Sequence, residues 1–327
     1  MSVSLLHSVP AMPSTRAPLF DLRQVVSDLA QARQRWRESQ QRSTEPGGRE
    51  LPTRDALSRI MDDLRGVLFP MRLGPTDLRQ ESEDYYVGHT LDSVLHALLA
   101  QVRLELRHDA RQQEQIDEAA LEKRAVQIVR ELSRSLPRIR TLLDSDVVAA
   151  FEGDPAARSV DEVLLCYPGI QAVIHHRVAH RLYELGVPLL ARIVAELAHS
   201  QTGIDIHPGA SIGAGFFIDH GTGVVIGETA VIGERVRLYQ AVTLGAKSFP
   251  ADEFGNPRKG LPRHPVLEDE VVIYAGATVL GRVTLGRGAT VGGNVWLTHD
   301  LAPGAHITQA QSLQGESSVA PHLTDPS

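Results

Sequence analysis

From Ile204 onward the aliphatic residues keep a step of six: Ile206, Ile212 and Ile218, then Ile226, Ile232, Leu238 and Leu244, then Leu267, Ile273, Val279, Leu285, Val291 and Leu297. This period belongs neither to a helix nor to a long strand, and it is a true internal repeat. It predicts very short strands, each turning one aliphatic side chain inward, joined by tight corners. Three such strands close a triangular coil of about 18 residues, so the repeat makes a little over four coils of a solenoid. Gly213, Gly227, Gly233, Gly245, Gly286 and Gly292 follow the aliphatic position and mark corners where the backbone turns tightly.

The repeat breaks twice, and a regular wall has no polar pocket of its own, so the breaks are where function is expected. The step from Ile218 to Ile226 is eight, which puts two extra residues into the turn DHGTGV and presents Asp219 and His220 away from the apolar interior. The step from Leu244 to Leu267 is 23, so a polar, turn-rich loop at 246–264 is extruded between successive strands.

Before Gly203 the period is helical. Leu57, Ile60, Met61, Leu64, Val67 and Leu68 form one stripe; Leu91, Val94, Leu95, Leu98 and Val102 form a second, with Thr90 as its N-cap. A third carries Ile116, Leu121, Ala125, Ile128, Val129 and Leu132, and Pro137 is expected to end or kink it. Further helices are expected at about 21–43, 138–151, 157–165 and 169–199, with 44–52 as a linker. The fold class is therefore α+β and multidomain. A frayed N-terminus (1–20) precedes an all-α domain (21–203), then a parallel β-helix (204–302) and a polar tail (303–327).

The chain has 327 residues and a net charge of −7, so no overall positive field favours nucleic acid as a partner. The lone Cys166 excludes a disulfide scaffold and is expected to pack as a small buried residue. The most apolar helical stretch, Val187 to Leu197, contains Arg192 and Glu196 and is far shorter than the ~20 residues a bilayer requires. No membrane span is expected. The first twenty residues lack a basic region ahead of their apolar stretch, which points to a cytoplasmic protein.

The stretch GIDIHPGASIGAGFFIDHGTGVVIGETAVIG at 203–233, followed by TLGAK and by RHP at 263–265, resembles serine O-acetyltransferase, a member of the hexapeptide-repeat acyltransferase superfamily. The likeness runs from Asp154 to about Ala302. It implies a left-handed β-helix that trimerises, acetyl-CoA as co-substrate, L-serine as acceptor, and no metal. By the same resemblance His220 is the general base for the serine hydroxyl and Asp205 orients its ring. Asp154 and Asp219 match positions that bind the substrate ammonium, and Arg263 with His264 those that bind its carboxylate. Asp before Pro is also a frequent helix start, which leaves Asp154 a capping role. Ala246, Ala275, Gly276 and Gly293 match positions along the CoA groove, and the same small residues suit plain solenoid corners. Gly293 stands where the family often has alanine, and Thr290 where a lysine can meet the nucleotide phosphates.

Relatives are often inhibited by L-cysteine, and a homotrimer or a dimer of trimers is implied. They often hold O-acetylserine sulfhydrylase through a C-terminal isoleucine. This chain ends HLTDPS at Ser327, so that complex is not expected. Three other readings stay open. One is acetyl transfer to a sugar or antibiotic hydroxyl, against which Arg263 stands because such acceptors carry no α-carboxylate. Another is a zinc hydratase of the carbonic-anhydrase type, using some of His207, His220, His264 and His299. The last is a non-catalytic scaffold. His176 and His180 in HHRVAH lack the glutamate of a zinc motif and are expected on an ordinary surface or interface face.

Overall fold

The computed structural model describes residues 20, 22–39, 51–112, 117–248, 253, 258 and 260–310. Ile116, nearly all of the expected frayed terminus and linker, the middle of the extruded loop and most of the tail lie outside them. Two units form, Met1–Arg49 and Glu50–Ser327. Of the first, helix α1 (Leu22–Ser39) is described.

In the second unit the helical stripes fold as α2 (Arg54–Leu68), the single turn α3 (Pro70–Leu73), α4 (Glu83–Gln112) and α5 (Glu118–Gly153). These are followed by α6 (Val160–Cys166), α7 (Pro168–Glu184) and α8 (Pro188–Thr202). Leu57, Ile60, Met61 and Leu64 of α2 are buried in one core with Val94, Leu98 and Val102 of α4 and Ile128 and Leu132 of α5. Two sequence expectations fail here, and so does one of the two outcomes expected of Pro137. Thr90 lies inside α4 rather than at its start. Pro137 does not end its helix, because Leu132, Leu136, Ile139 and Leu143 continue one buried stripe through it. The helix expected at 169–199 is broken at Leu185–Val187, where Gly186 takes φ +83° and Pro188 opens α8.

Glu105 of α4 is 1% exposed and accepts hydrogen bonds from Leu189 N and Leu190 N, both at 2.8 Å, at the start of α8. Burial pushes its carboxyl up to about 7 from the ordinary 4.5, against the pull of those two N–H groups. The folded state then holds a proton that the unfolded chain releases, so this group's stabilisation falls as pH rises from about 4.5 to about 7. Compared with Glu105→Gln, the protein is expected to lose up to about 3 kcal/mol across that window. Chemical denaturation of both proteins from pH 4.5 to 8 checks this, and a difference that does not vary with pH removes Glu105 as the cause.

Beyond Gly203, which caps α8 at φ +70°, the chain winds into a left-handed β-helix of three parallel sheets. Sheet I holds β1 (Asp205–Ile206), β4 (Val225–Ile226), β7 (Thr243–Gly245), β10 (Thr278–Leu280) and β13 (Trp296–Leu297). Sheet II holds β2 (Ser211–Ile212), β5 (Val231–Ile232), β8 (Val266–Leu267) and β11 (Thr284–Leu285). Sheet III holds β3 (Phe217–Ile218), β6 (Arg237–Leu238), β9 (Val272–Ile273), β12 (Thr290–Val291) and β14 (His306–Ile307). Each aliphatic position of the repeat lies in a strand and is buried. The register stacks Ile206 on Ile226 and Ile226 on Leu244, so the core is a ladder of like side chains. The last strand lies beyond the expected boundary at 302.

The helical and solenoid parts are tied together by a buried pair. Arg177 of α7 and Asp146 of α5 have side chains 5% and 0% exposed and meet at 2.9 Å. The guanidinium also donates to Ile212 O (2.5 Å) and Gly213 O (2.6 Å), and Asp146 accepts from Phe216 N at 2.8 Å. The neighbouring His176 is buried and stacks on His180, so the face expected at a surface or an interface forms the seam between helices and first coil.

Candidate active site

The solenoid is triangular, so polar residues collect at its vertices. At the vertex between sheets III and I, the eight-residue step forms the turn after β3. There His220 takes φ +60° with its side chain 69% exposed. That backbone is a habit of these corners rather than a mark of catalysis, since Arg235, Ala241, Glu270 and Asn294 share it. Asp219 beside it is buried, with Oδ1 at 3.8 Å from His220 Nδ1 and Oδ2 accepting from Arg237 Nη2 at 2.9 Å. One coil links that pair, because β3 and β6 are in register with Phe217 beside Arg237.

Asp154 reaches the same vertex from the C-terminal end of α5. Its Oδ1 accepts from Ala156 N at 2.8 Å and its Oδ2 from the Tyr167 hydroxyl at 2.5 Å. It caps the end of α5, while Ser159 caps the start of α6, so Asp154 does not serve as a helix N-cap. The Tyr167 hydrogen bond, followed by the Ala156 N–H and the charges of Arg237 and His220, holds its carboxyl below the usual range. The Tyr167 phenol is correspondingly pushed up to about 12.

The vertex between sheets I and II carries the other half. Arg263 Nη2 pairs with Glu228 Oε2 at 2.7 Å, and Glu228 also accepts from the Tyr183 hydroxyl at 3.1 Å. His264 is buried, and its Nδ1 accepts from Thr229 N at 3.0 Å, which leaves the ring proton on Nε2. Burial and the Arg263 charge push it down to about 4, so the ring is neutral near pH 7. Gly227 makes room for it, since a Cβ there would overlap the imidazole.

Sheet I separates the two vertices, so one chain gathers Asp154, Asp219 and His220, and separately Arg263 and His264, without joining the two sets. The residues expected along the CoA groove divide in the same way. Ala275, Gly276 and Gly293 follow β9 and β12 at the III/I vertex, and Ala246 follows β7 at the I/II vertex. A Cβ on Gly293 would come 3.2 Å from Ala275 O, which crowds an alanine at this position.

Among the described residues no hydrogen bond or ion pair joins Asp205 to His220. Asp205 instead lies in a group with Glu196 and His199 whose ligand atoms are within 4.8 Å of one another. Glu196 there is already bonded to Arg192 at 2.5 Å and to His199 at 3.3 Å. His207, His220, His264 and His299 do not form a metal-ligand cluster within one chain among the described residues. Cys166 is exposed at the end of α6, contrary to expectation. Tyr167, Arg237 and Glu228 were not singled out from the sequence. Arg237 does leave a signal in the sequence, since it stands one coil, lengthened to 20 residues by the eight-residue step, after Phe217 on the strand that leads into the Asp219–His220 turn.

No family model matches the chain. A plasmid-encoded serine acetyltransferase of Synechococcus elongatus is 59% identical over 263 residues, 80% of this chain and 82% of the relative. The chain belongs to the serine acetyltransferase family. The aligned stretch is longer than the expected 154–302, so the likeness extends into the helical half. The crystal structure of serine acetyltransferase 1 from Entamoeba histolytica in complex with L-cysteine matches with a TM-score of 0.65 and 39% identity. That match covers 76% of this chain and 85% of that one. A soybean serine acetyltransferase complexed with serine matches with a TM-score of 0.50 and 30% identity over 77% of this chain and 96% of that one. Members of the family are acetyl-CoA-dependent acyltransferases, and the β-helix here is the architecture they use. Among the described residues no helix is long and apolar enough to cross a membrane.

Proposed function

We propose that this chain acetylates L-serine at a site completed between two copies of itself in a homotrimer, with His220 as the general base. The observation that carries this reading is the division of the site. A free amino acid has an ammonium and a carboxylate, and the acidic half (Asp154, Asp219) and the basic half (Arg263, His264) occupy different vertices of one triangular solenoid. A threefold arrangement sets the III/I vertex of one copy beside the I/II vertex of the next, which makes each zwitterion site whole.

In this reading the ammonium lies against Asp219 and Asp154, while Arg263 supplies a charged fork and neutral His264 an Nε2–H for the carboxylate. His220 takes the proton of the serine hydroxyl as that oxygen attacks the thioester carbonyl of acetyl-CoA. The imidazolium then returns the proton to the departing CoA sulfur, so no proton is lost. Asp205, on the strand paired with β4 just after the His220 turn, orients the ring once the site is assembled. Ala246, Ala275, Gly276 and Gly293 line the pantetheine path. L-Cysteine has the same charges with a thiol for the hydroxyl, so it competes for this site; the E. histolytica complex supports that.

The test is release of CoA thiol from acetyl-CoA with L-serine, L-homoserine, a hexose and no acceptor. Serine-dependent release well above the hexose and the blank is expected, with homoserine weaker by about 10-fold or more, because one methylene changes pocket fit by ~1–3 kcal/mol. A hexose turned over in preference to serine removes the amino-acid assignment and leaves only the fold.

A further inference from the structure

We infer that Arg237 is a positioning residue of this site: packed against two aromatic rings, it holds one oxygen of Asp219 so that the other stays near His220. The inference rests on the reading of His220 as base and Asp219 as ammonium ligand. Arg237 lies on β6 with its guanidinium carbon 4.9 Å from the Phe217 ring centroid and 4.7 Å from that of Tyr239. Two such ring contacts restrict the direction of the guanidinium. Its Nη2 donates to Asp219 Oδ2 at 2.9 Å, while Asp219 Oδ1 lies 3.8 Å from His220 Nδ1. Its Nη1 lies on the Gly153 side, where a Cβ on that glycine would come within 3.6 Å, so the cation also sits next to Asp154.

The two acids are held differently. Asp154 has both oxygens fixed by its own surroundings, Ala156 N and the Tyr167 hydroxyl. The Asp219 carboxylate has Arg237 as its only hydrogen-bond donor among the described residues. Without that donor Asp219 is free to rotate, and two carboxylates share one vertex with no cation between them. The groups around the Asp219–His220 pair are Asp154 from the end of α5, Tyr167 from the α6–α7 junction, and Arg237 and Tyr239 from β6 and its turn. Arg263 and His264 of a second copy join them in the assembled site. Arg237 is the cation of this set within the chain, and it offsets one of the two negative charges.

The experiment uses the full-length protein. Arg237→Met frees Asp219, so kcat/KM for serine is expected to drop about tenfold, while KM for acetyl-CoA stays within about twofold of the wild type. Arg237→Lys keeps the charge without the planar fork and is expected to leave kcat/KM for serine low. A merely structural role lowers the thermal midpoint and does not single out serine. A kcat/KM for serine within twofold of wild type in Arg237→Met, or an equal loss toward both substrates, overturns the inference; if that variant does not fold, the same criterion is applied to Arg237→Gln and Arg237→Lys. A wild type without serine-dependent release overturns the acetyl-transfer reading instead, and this inference with it.

Discussion

His220→Ala and Arg263→Ala proteins are each expected to be nearly inactive with serine, and a mixture of the two, dissociated and reassembled, is expected to recover activity neither parent has. Loss of the base costs about 10²–10⁴-fold. Loss of the guanidinium costs about 10- to 100-fold in kcat/KM, the worth of a charged hydrogen-bonded pair. The recovery follows from the topology: His220 is at the III/I vertex and Arg263 at the I/II vertex, so a shared site draws one residue from each copy. With random assembly about a quarter of the sites combine an intact base with an intact arginine. Thiol release at subsaturating serine measures it. Activity equal only to the average of the parents places both residues of each working site in one chain and ends the shared-site reading.

Arg177→Met is expected to lower stability by about 3–5 kcal/mol, the cost of stranding a buried carboxylate by removing its partner. Asp146 then keeps only backbone N–H partners at Phe216 and Gly215, and the Ile212 and Gly213 carbonyls lose the Arg177 donor. Because this pair links α5 and α7 to the first coil, the loss is read as a lower midpoint and as separation of the helical and solenoid transitions in thermal unfolding. The double variant Asp146→Leu with Arg177→Met is expected to be less destabilised than the two single effects added, since no charge is left unpaired. A single-variant cost below about 1 kcal/mol would falsify the view that this pair holds the seam.

Much of this architecture is legible from residues alone, for a local reason. The inward residue of every hexad is followed within a few positions by its corner, so the solenoid is written in short-range chemistry, and even the eight-residue step points to His220. The errors concern long-range packing. Pro137 reads as a stop, yet buried neighbours on both sides hold its helix together. Cys166 reads as buried by type but stands exposed at a helix end, and the histidines of HHRVAH read only as a surface or interface face because nothing in their own segment reports the coil that covers them. Gly186 and Pro188 do carry a local stop signal, and the structure obeys it even though the apolar stripe runs on through Leu190 and Val194. Glu228 escapes notice because its partner Arg263 lies 35 residues on, across the extruded loop. The division of the site is invisible until the strands are assigned to sheets.

The constant stacking of the coils has a consequence for how a long thin ligand is measured. Coils rise by about 4.8 Å each. Ala275 and Gly293 therefore stand two and three coils from His220, about 10 and 14 Å along the same edge. The β-helix is in this sense a ruler, graduated in whole turns. Reach along the edge is set by the number of turns between the base and the far end, so a turn inserted or deleted beyond the base would change which length of molecule fits while leaving the chemistry at the near end untouched.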